Sequence, residues 1–398
     1  MHILFVTDYL PYPPISGDRI RVYNIAKCIA KVHRVSFAAP VRTEEEVRSV
    51  DGLRDFCRQF VTADLPRRNP IAHLPGLFRT ALKGQPLELH FMNSDVLRRG
   101  IQSLLKTDPV DIVQFEHSRM AHYADVIPAG VKKVLTFHNV ASQQFDTIYK
   151  VMRSPVPKFR AWLFSRQMRR WETQCVRTLD RCVTVSENDR QLLLRDVPDA
   201  RIDIVPNGVD THTKQILPRS DGPLTLLLIG LMSYAPYSDS AIYFCEKILP
   251  ALRKKIGNVH VLIVGPNPPP EVTRLQGDGV EVTGRVPEVE PYYRQSTISV
   301  VPLRAGGGTR LKILEAMAFG RPVVSTSLGC EGLNVTDEEH LLVADTPERF
   351  VESIARLAND TRLYESIVRS ARQRVEAQYD WEIIAAQMLR IYAELVQA

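Results

Sequence analysis

Short, nearly unbroken apolar runs alternate along this chain with longer stretches in which apolar residues recur every three or four positions. Runs of the first kind read as strands buried on both faces, and stretches of the second kind as helices covering them. The first half predicts strands at His2–Thr7, Arg34–Ala38, Gln59–Thr62, Asp111–Phe115, Lys132–Phe137 and Arg181–Val185. The second half predicts them at Leu224–Ile229, Val259–Val264, Val280–Thr283, Ile298–Pro302, Pro322–Ser325 and His340–Val343. Strands alternating with helices imply parallel sheets in an α/β fold.

A further strand near Ile202 runs into the turn Pro206–Asn207–Gly208, and the polar, irregular segment Thr211–Gly222 follows. That break predicts a first domain over residues 1–205 and a second over 206–378, each doubly wound and Rossmann-like. The 398 residues are enough for two such cores. A last helix over 379–398 follows Trp381 and carries the stripe Ile384, Met388, Ile391 and Leu395.

Composition narrows the class. Charged residues at 24% and hydrophobic ones at 44% describe an ordinary globular protein. The six cysteines are scattered without a C-x-x-C pair, which favours a reducing compartment over a disulfide framework or structural metal. The start MHILFVTDYL opens a strand at once, without a basic leader, and Leu224–Met232 is far shorter than the ~20 apolar residues of a spanning helix. The expectation is a cytoplasmic location.

The densest chemistry lies in Val301–Thr326, VPLRAGGGTRLKILEAMAFGRPVVST. A strand runs into Gly306, Gly307 and Gly308, and a helix expected over Thr309–Phe319 closes at Gly320. Consecutive glycines let backbone amides crowd an oxyanion, and the helix N-terminus adds partial positive charge. Arg310 and Lys312 place cations where a helix start favours acids, so an anion is expected there. Glu315 stands one turn further on, in an apolar face, where a carboxylate accepts hydrogen bonds from a vicinal diol such as ribose. Anion donors beside a diol acceptor describe a nucleotide carrying a diphosphate. Neither a P-loop nor G-x-G-x-x-G occurs.

This segment resembles the C-terminal signature of the family-4 glycosyltransferases, retaining enzymes of the GT-B fold with two Rossmann-like domains facing a cleft. In that family a Glu-x7-Glu motif precedes a G-x-P-V-V strand, and its second Glu binds the ribose. Glu315 and Gly320–Val324 match, while Gly307 stands where the first Glu belongs. The GGGTRLK loop is similar to an exopolysaccharide-associated branch. Pro206–Asp210, PNGVD, resembles the family's domain crossover, and the resemblance implies that the last helix returns to the first domain. It further implies a contact from Gly17 in SGDR to the donor phosphate or the acceptor, and donor contacts from Gly230 after the strand Leu224–Ile229, from the Gly306–Thr309 and Leu311 backbone, and from Arg285–Val286 near the base. His138 in TFHN matches the cleft histidine that contacts the transferred sugar. The family's usual Arg and Lys after the first strand of the second domain are missing, since no cation follows Gly230 until Lys247. That shifts the diphosphate charge onto Arg310 and Lys312.

Ligands of open parallel sheets bind beyond the carboxyl ends of strands. In the first domain those ends carry Asp8, Glu116–His117, His138–Asn139 and Ser186–Glu187. The S-x-x-D pattern of Ser186 and Asp189 predicts a helix cap over Asn188–Arg195.

Charge is uneven: residues 1–205 carry 31 basic and 22 acidic side chains, and 206–398 carry 20 and 23. Lys150–Arg177 has eight basic residues, interleaved aromatics and one acid, Glu172. That suits an anionic membrane face or a nucleic-acid groove. It equally suits a core helix with the stripe Phe164, Met168, Trp171, Cys175 and Leu179 and its arginines solvated outside. No nucleic-acid partner is expected.

The resemblance implies a retaining glycosyltransferase, and the residues lead us to expect metal independence. Such an enzyme would move a sugar from a nucleotide-diphosphate donor to a hydroxyl acceptor in a glycan, lipid-linked or polysaccharide precursor, in the cytoplasm or at the inner membrane face. No D-x-D metal motif occurs and no cofactor is implied. A nucleotide-sugar 2-epimerase of the same fold and a non-catalytic nucleotide-sugar-binding subunit are the alternatives.

Overall fold

A computed structural model describes residues 1–41, 43–48, 50–65, 74–82, 84–151, 155–220, 222–306 and 308–397. Apolar runs form strands where the sequence places them: β1 (His2–Val6), β2 (Arg34–Val41), β3 (Gln59–Asp64), β4 (Ile112–Glu116), β5 (Lys132–Phe137), β6 (Arg181–Thr184) and β7 (Ile202–Ile204). They make one parallel sheet in the order β3-β2-β1-β4-β5-β6-β7. The second sheet holds β8 (Leu224–Ile229), β9 (Val259–Val264), β10 (Val280–Gly284), β11 (Ile298–Val301), β12 (Val323–Ser325) and β13 (Leu342–Val343). Its order is β10-β9-β8-β11-β12-β13, again parallel. Ile3, Leu4, Phe5 and Val6 are all inaccessible to solvent, as parallel strands covered on both faces require.

The chain divides into two compact units, one of Met1–Pro206 with Ile384–Ala398 and the other of Asn207–Ile383. The helix Trp381–Gln397 therefore ends in the first unit. Its stripe Ile384, Met388, Ile391 and Leu395 is buried there, and the Tyr392 hydroxyl donates to Gln114 Oε1 at 2.9 Å. All six cysteines are free thiols.

Most of the basic segment forms the helix Pro155–Thr178. Met168, Trp171 and Cys175 are core residues, with Phe164 and Leu179 packed against them. Towards its N-terminus Val156, Phe159, Trp162 and Leu163 are exposed instead.

In the second unit two buried arginines staple the irregular segment after the crossover to the framework. Arg321 donates from Nε to Tyr293 O (2.7 Å), from Nη1 to Leu217 O (2.9 Å) and Gly320 O (3.2 Å), and from Nη2 to Pro218 O (2.7 Å). Arg372 reaches the carbonyls of Lys214, Ala318 and Thr211. Short chain segments without a ladder need such donors, because a buried carbonyl left unpaired is costly.

Arg321→Met keeps much of the volume and removes every one of those donors. It should destabilise the protein by about 3 kcal/mol or more, read as a lower urea midpoint. A midpoint within error of wild type would show that the four carbonyls do not depend on Arg321.

Candidate functional site

Each sheet has one point where the strand order reverses, between β1 and β4 in the first unit and between β8 and β11 in the second. Loops diverge there beyond the strand ends and leave a crevice where ligands of such sheets bind. The chemistry singled out in the sequence gathers at both points.

In the second unit β8 runs into Gly230 and β9 into Gly265. Gly265 has φ +154°, and a Cβ on it would lie 1.7 Å from the Gly230 carbonyl oxygen, so only glycine allows the two turns to meet. Across the switch point, β11 leads to the glycine loop. Gly306 and Gly308 both take positive φ, at 108° and 78°, while Gly307 lies outside the described residues. The helix then spans Leu311–Ala318, shorter than the Thr309–Phe319 expected. Arg310 is not in its first turn: it is the N-cap residue, with extended backbone, and Thr309 precedes it. The Thr309 hydroxyl is tied instead to the crossover, accepting from Asn207 Nδ2 at 2.5 Å. Gly320, with φ +69°, closes the helix region as expected.

The cations are held in an unusual way. Arg310 is 5% exposed and donates from Nη1 to Gly308 O at 2.6 Å, folding its guanidinium back over the glycine loop. Lys312 reaches across the switch point: Nζ donates to the Ile229 carbonyl at the end of β8 and stands 3.5 Å from the centre of the Tyr237 ring. Among the described residues no acid pairs with it. Burial, and then the neighbouring Arg310 charge, hold the Lys312 ammonium well below its ordinary range. So the cation that the sequence lacks after Gly230 is supplied at that place from the facing helix.

Glu315, on the same helix, does not wait alone. Its Oε1 pairs with Lys214 Nζ at 2.9 Å, and the Tyr293 hydroxyl donates to Oε2 at 3.3 Å. A carboxylate offers about four acceptor sites, so these contacts leave room for a diol. Leu311 is half-buried at the first helical position. Arg285 is exposed and Val286 packs against the core, both at the end of β10, two strands away from β8. Among the described residues, neither is hydrogen-bonded or ion-paired to Arg310 or Lys312.

In the first unit the β1 and β4 ends bring together Asp8, Tyr9, Glu116 and His117, and the β5 end adds His138. Gly17 opens the helix Gly17–Ala30. Its neighbour Asp18 joins the cluster, lying 3.6 Å from His117 Nε2, with Asp8 at 3.9 Å and the Tyr9 hydroxyl at 3.3 Å. Tyr9 and Ser16 hydroxyls donate to Asp18, and Arg119 donates to Asp8 at 2.8 Å. The His117 and His138 rings stack with centroids 4.2 Å apart. His138 Nε2 lies 2.5 Å from Glu116 Oε2, which puts its proton on Nε2 and leaves Nδ1 as an acceptor.

The electrostatics separate the two imidazoles. Burial lowers His117, but the charges of Asp8 and Asp18 outweigh it and raise its pKa. Burial raises Asp18, yet the hydrogen bond and charge of His117 prevail and bring its carboxyl down to about 2. Burial and then the His117 charge lower His138. The surroundings therefore favour the charged form of His117 and the neutral form of His138. Ser186 caps the helix Glu187–Leu194 and accepts from Asp189 N at 3.2 Å, the structural role its spacing predicts.

Glu172, the single acid of the basic segment, is buried beneath this cluster. It accepts from Ala141 N, Ser142 N and the Ser142 and Ser118 hydroxyls. Burial pushes it up to about 7 against the pull of those donors. Asp18, Tyr9, Lys214, Tyr237 and Glu172 carry the geometry without having been singled out as site residues. Asp18 alone had a near signal, as the residue after Gly17 in SGDR.

Known proteins bear on these observations. The sequence matches the family model described as Glycosyltransferase Family 4 over residues 15–213, half of the chain, and the one described as Glycosyl transferases group 1 over residues 223–360. The phosphatidyl-myo-inositol mannosyltransferase of Mycobacterium leprae is 25% identical over 199 residues, covering 47% of this chain and 52% of that protein. This chain spans about half the length of the curated relatives it matches. A sucrose-phosphate synthase from Thermosynechococcus elongatus superimposes with a TM-score of 0.70 at 17% identity, over 99% of both chains. Anabaena HepE in complex with UDP and glucose gives 0.67 at 15% identity, over 99% of this chain and 100% of that one. At such identities these structures speak for the fold alone, two parallel-sheet α/β domains of the GT-B kind. With its first unit matched by that family's own model and its second by the group 1 transferases, the chain belongs to glycosyltransferase family 4.

Proposed function

We propose that this protein transfers a sugar from a nucleotide-diphosphate donor to a hydroxyl acceptor, with retention of anomeric configuration and without a metal ion. The observation that carries the reading is the desolvated cation pair Arg310 and Lys312 beside the glycine loop at the β8/β11 switch point. Two like charges kept out of water beside an opening are costly unless an anion arrives. A diphosphate fits, accepting from the loop amides and from both cations. As the glycosidic bond breaks, charge builds on its leaving oxygen, and these donors then stabilise the transition state more than the ground state. Metal independence rests on that supply of positive charge.

Glu315 would take the ribose diol on the acceptor sites that Lys214 and Tyr293 leave open. His138, neutral and fixed by Glu116, would present Nδ1 to the transferred sugar, and His117 would stay charged against Asp8 and Asp18. Retention rests on the family resemblance. The name of one relative, a GDP-mannose-dependent mannosyltransferase of Mycobacterium tuberculosis, and the UDP complexes of HepE make sugar nucleotides the donors to try first, with guanosine and uridine as the leading bases.

The exposed start of the helix Pro155–Thr178 supports a second partner, an anionic bilayer. Val156, Phe159, Trp162 and Leu163 are solvent-facing, Arg166 lies 5.6 Å from the Trp162 ring, and Arg160 is exposed nearby. Apolar anchors ringed by cations suit the headgroup region.

Calorimetry against UDP-, GDP- and ADP-sugars should find one donor series that binds, and Glu315→Ala should weaken it roughly ten- to hundredfold, the loss of one or two charged hydrogen bonds. A correctly folded Glu315→Ala protein with wild-type donor affinity would remove the carboxylate from the site. For the bilayer, co-sedimentation with vesicles should require anionic lipid and fade with salt, and Phe159→Ser with Trp162→Ser should abolish it. Equal sedimentation of the double variant would leave this end of the helix without a membrane role.

A further inference from the structure

The two stacked histidines sit on the loops that follow β4 and β5. His117 follows β4 with φ +69°, in the left-handed region that residues other than glycine seldom occupy. His138 follows β5, and the helix after it begins at Ala141. The residue before that helix is Val140, which has no side-chain oxygen to accept from the first free amides, as a Ser, Thr or Asp would.

Both deficits are met from one place. Trp171 and Glu172 are adjacent on the helix Pro155–Thr178, and both are buried. Trp171 Nε1 donates to the Ser118 carbonyl at 2.8 Å, one residue beyond His117. Glu172 Oε1 accepts from Ala141 N at 2.8 Å and from the Ser118 hydroxyl at 3.5 Å. Its Oε2 accepts from the Ser142 hydroxyl at 2.6 Å and from Ser142 N at 3.2 Å. One carboxylate thus bridges the two loops and serves as the missing helix cap, where negative charge is favoured.

We propose that Trp171 and Glu172 are positioning residues that set the stacking of His117 on His138, and through it the reactivity of His138. The inference rests on the reading of His138 as a group that meets the sugar, and it makes a demand that a purely structural pair would not. A residue that only fills the core changes the melting temperature. One that fixes two imidazoles changes their environment even in protein that remains folded.

The test uses the whole protein with ring-15N histidine and two conservative variants, Trp171→Phe, which deletes the indole donor, and Glu172→Gln, which deletes the charge. The His117 and His138 ring signals are assigned by His117→Asn and His138→Asn. In both conservative variants those signals should move, and kcat should fall about tenfold with little change in donor KM, because the groups read as holding the diphosphate and ribose, Arg310, Lys312 and Glu315, lie in the other unit. Wild-type ring signals in either folded variant would overturn the proposal, as would unchanged kcat. Should Glu172→Gln unfold, Trp171→Phe decides alone, since its ring still fills the core. The ring signals are read whether or not transfer is observed. Shifted signals in an inactive protein would uphold the clamp and leave the transferase reading as the part that failed.

Discussion

Everything at the β8/β11 switch point follows from two cations held out of water side by side. Arg310 folds onto the Gly308 carbonyl, and Lys312 stretches across to the end of β8, under the Tyr237 ring. The glycines beside them leave little room to spare. A side chain at Gly230 would come within 2.8 Å of the Lys312 ammonium, and one at Gly306 within 3.3 Å of the Arg310 guanidinium. The helix that carries Lys312 and Glu315 is itself anchored by Arg321 and Arg372, whose carbonyl partners fix the segment bearing Lys214. Keeping two cations out of water in this way is costly.

The first unit solves a different problem with the same topology. Its β1/β4 switch point gathers carboxylates and imidazoles instead of amides and cations. The charges there compensate one another, with His117 against Asp8 and Asp18, Arg119 against Asp8, and the buried Arg21 near Glu116. A self-neutralised cluster does not call for an ionic ligand. It suits the handling of hydroxyls, where donors and acceptors at set positions matter more than net charge.

Much of this was legible in the sequence. Parallel strands covered on both faces read as continuous apolar runs, so Lys132–Phe137, Leu224–Ile229 and Val259–Val264 fall at their predicted limits. His340–Val343 shortens to Leu342–Val343 because His340 is engaged in a turn with Thr336 through both backbone and ring. The helix expected from Thr309 starts two residues late because Thr309 is claimed by Asn207 and Arg310 caps with extended backbone. The pairing of Glu315 with Lys214, the approach of Asp18 to His117 and the reach of Glu172 to two loops all join residues far apart in the chain. No spacing rule reports such contacts. The reach of Lys312 to the carbonyl before Gly230 was hidden in the same way, although the missing cation there pointed to the need for it.

The central claim is that the buried Lys312 awaits a diphosphate. Its ammonium is held well below the ordinary range in the empty protein, and an arriving anion must raise it. Between those two values the complex holds more protons than the free protein, so binding takes up protons and affinity falls as pH rises through that window. Calorimetric titration of the preferred nucleoside diphosphate, in buffers of different ionisation enthalpy, measures this directly. The account predicts net proton uptake that disappears, together with most of the affinity, in a folded Lys312→Met variant. Binding without proton uptake, or a Lys312→Met protein that binds the diphosphate as tightly as wild type, would contradict it.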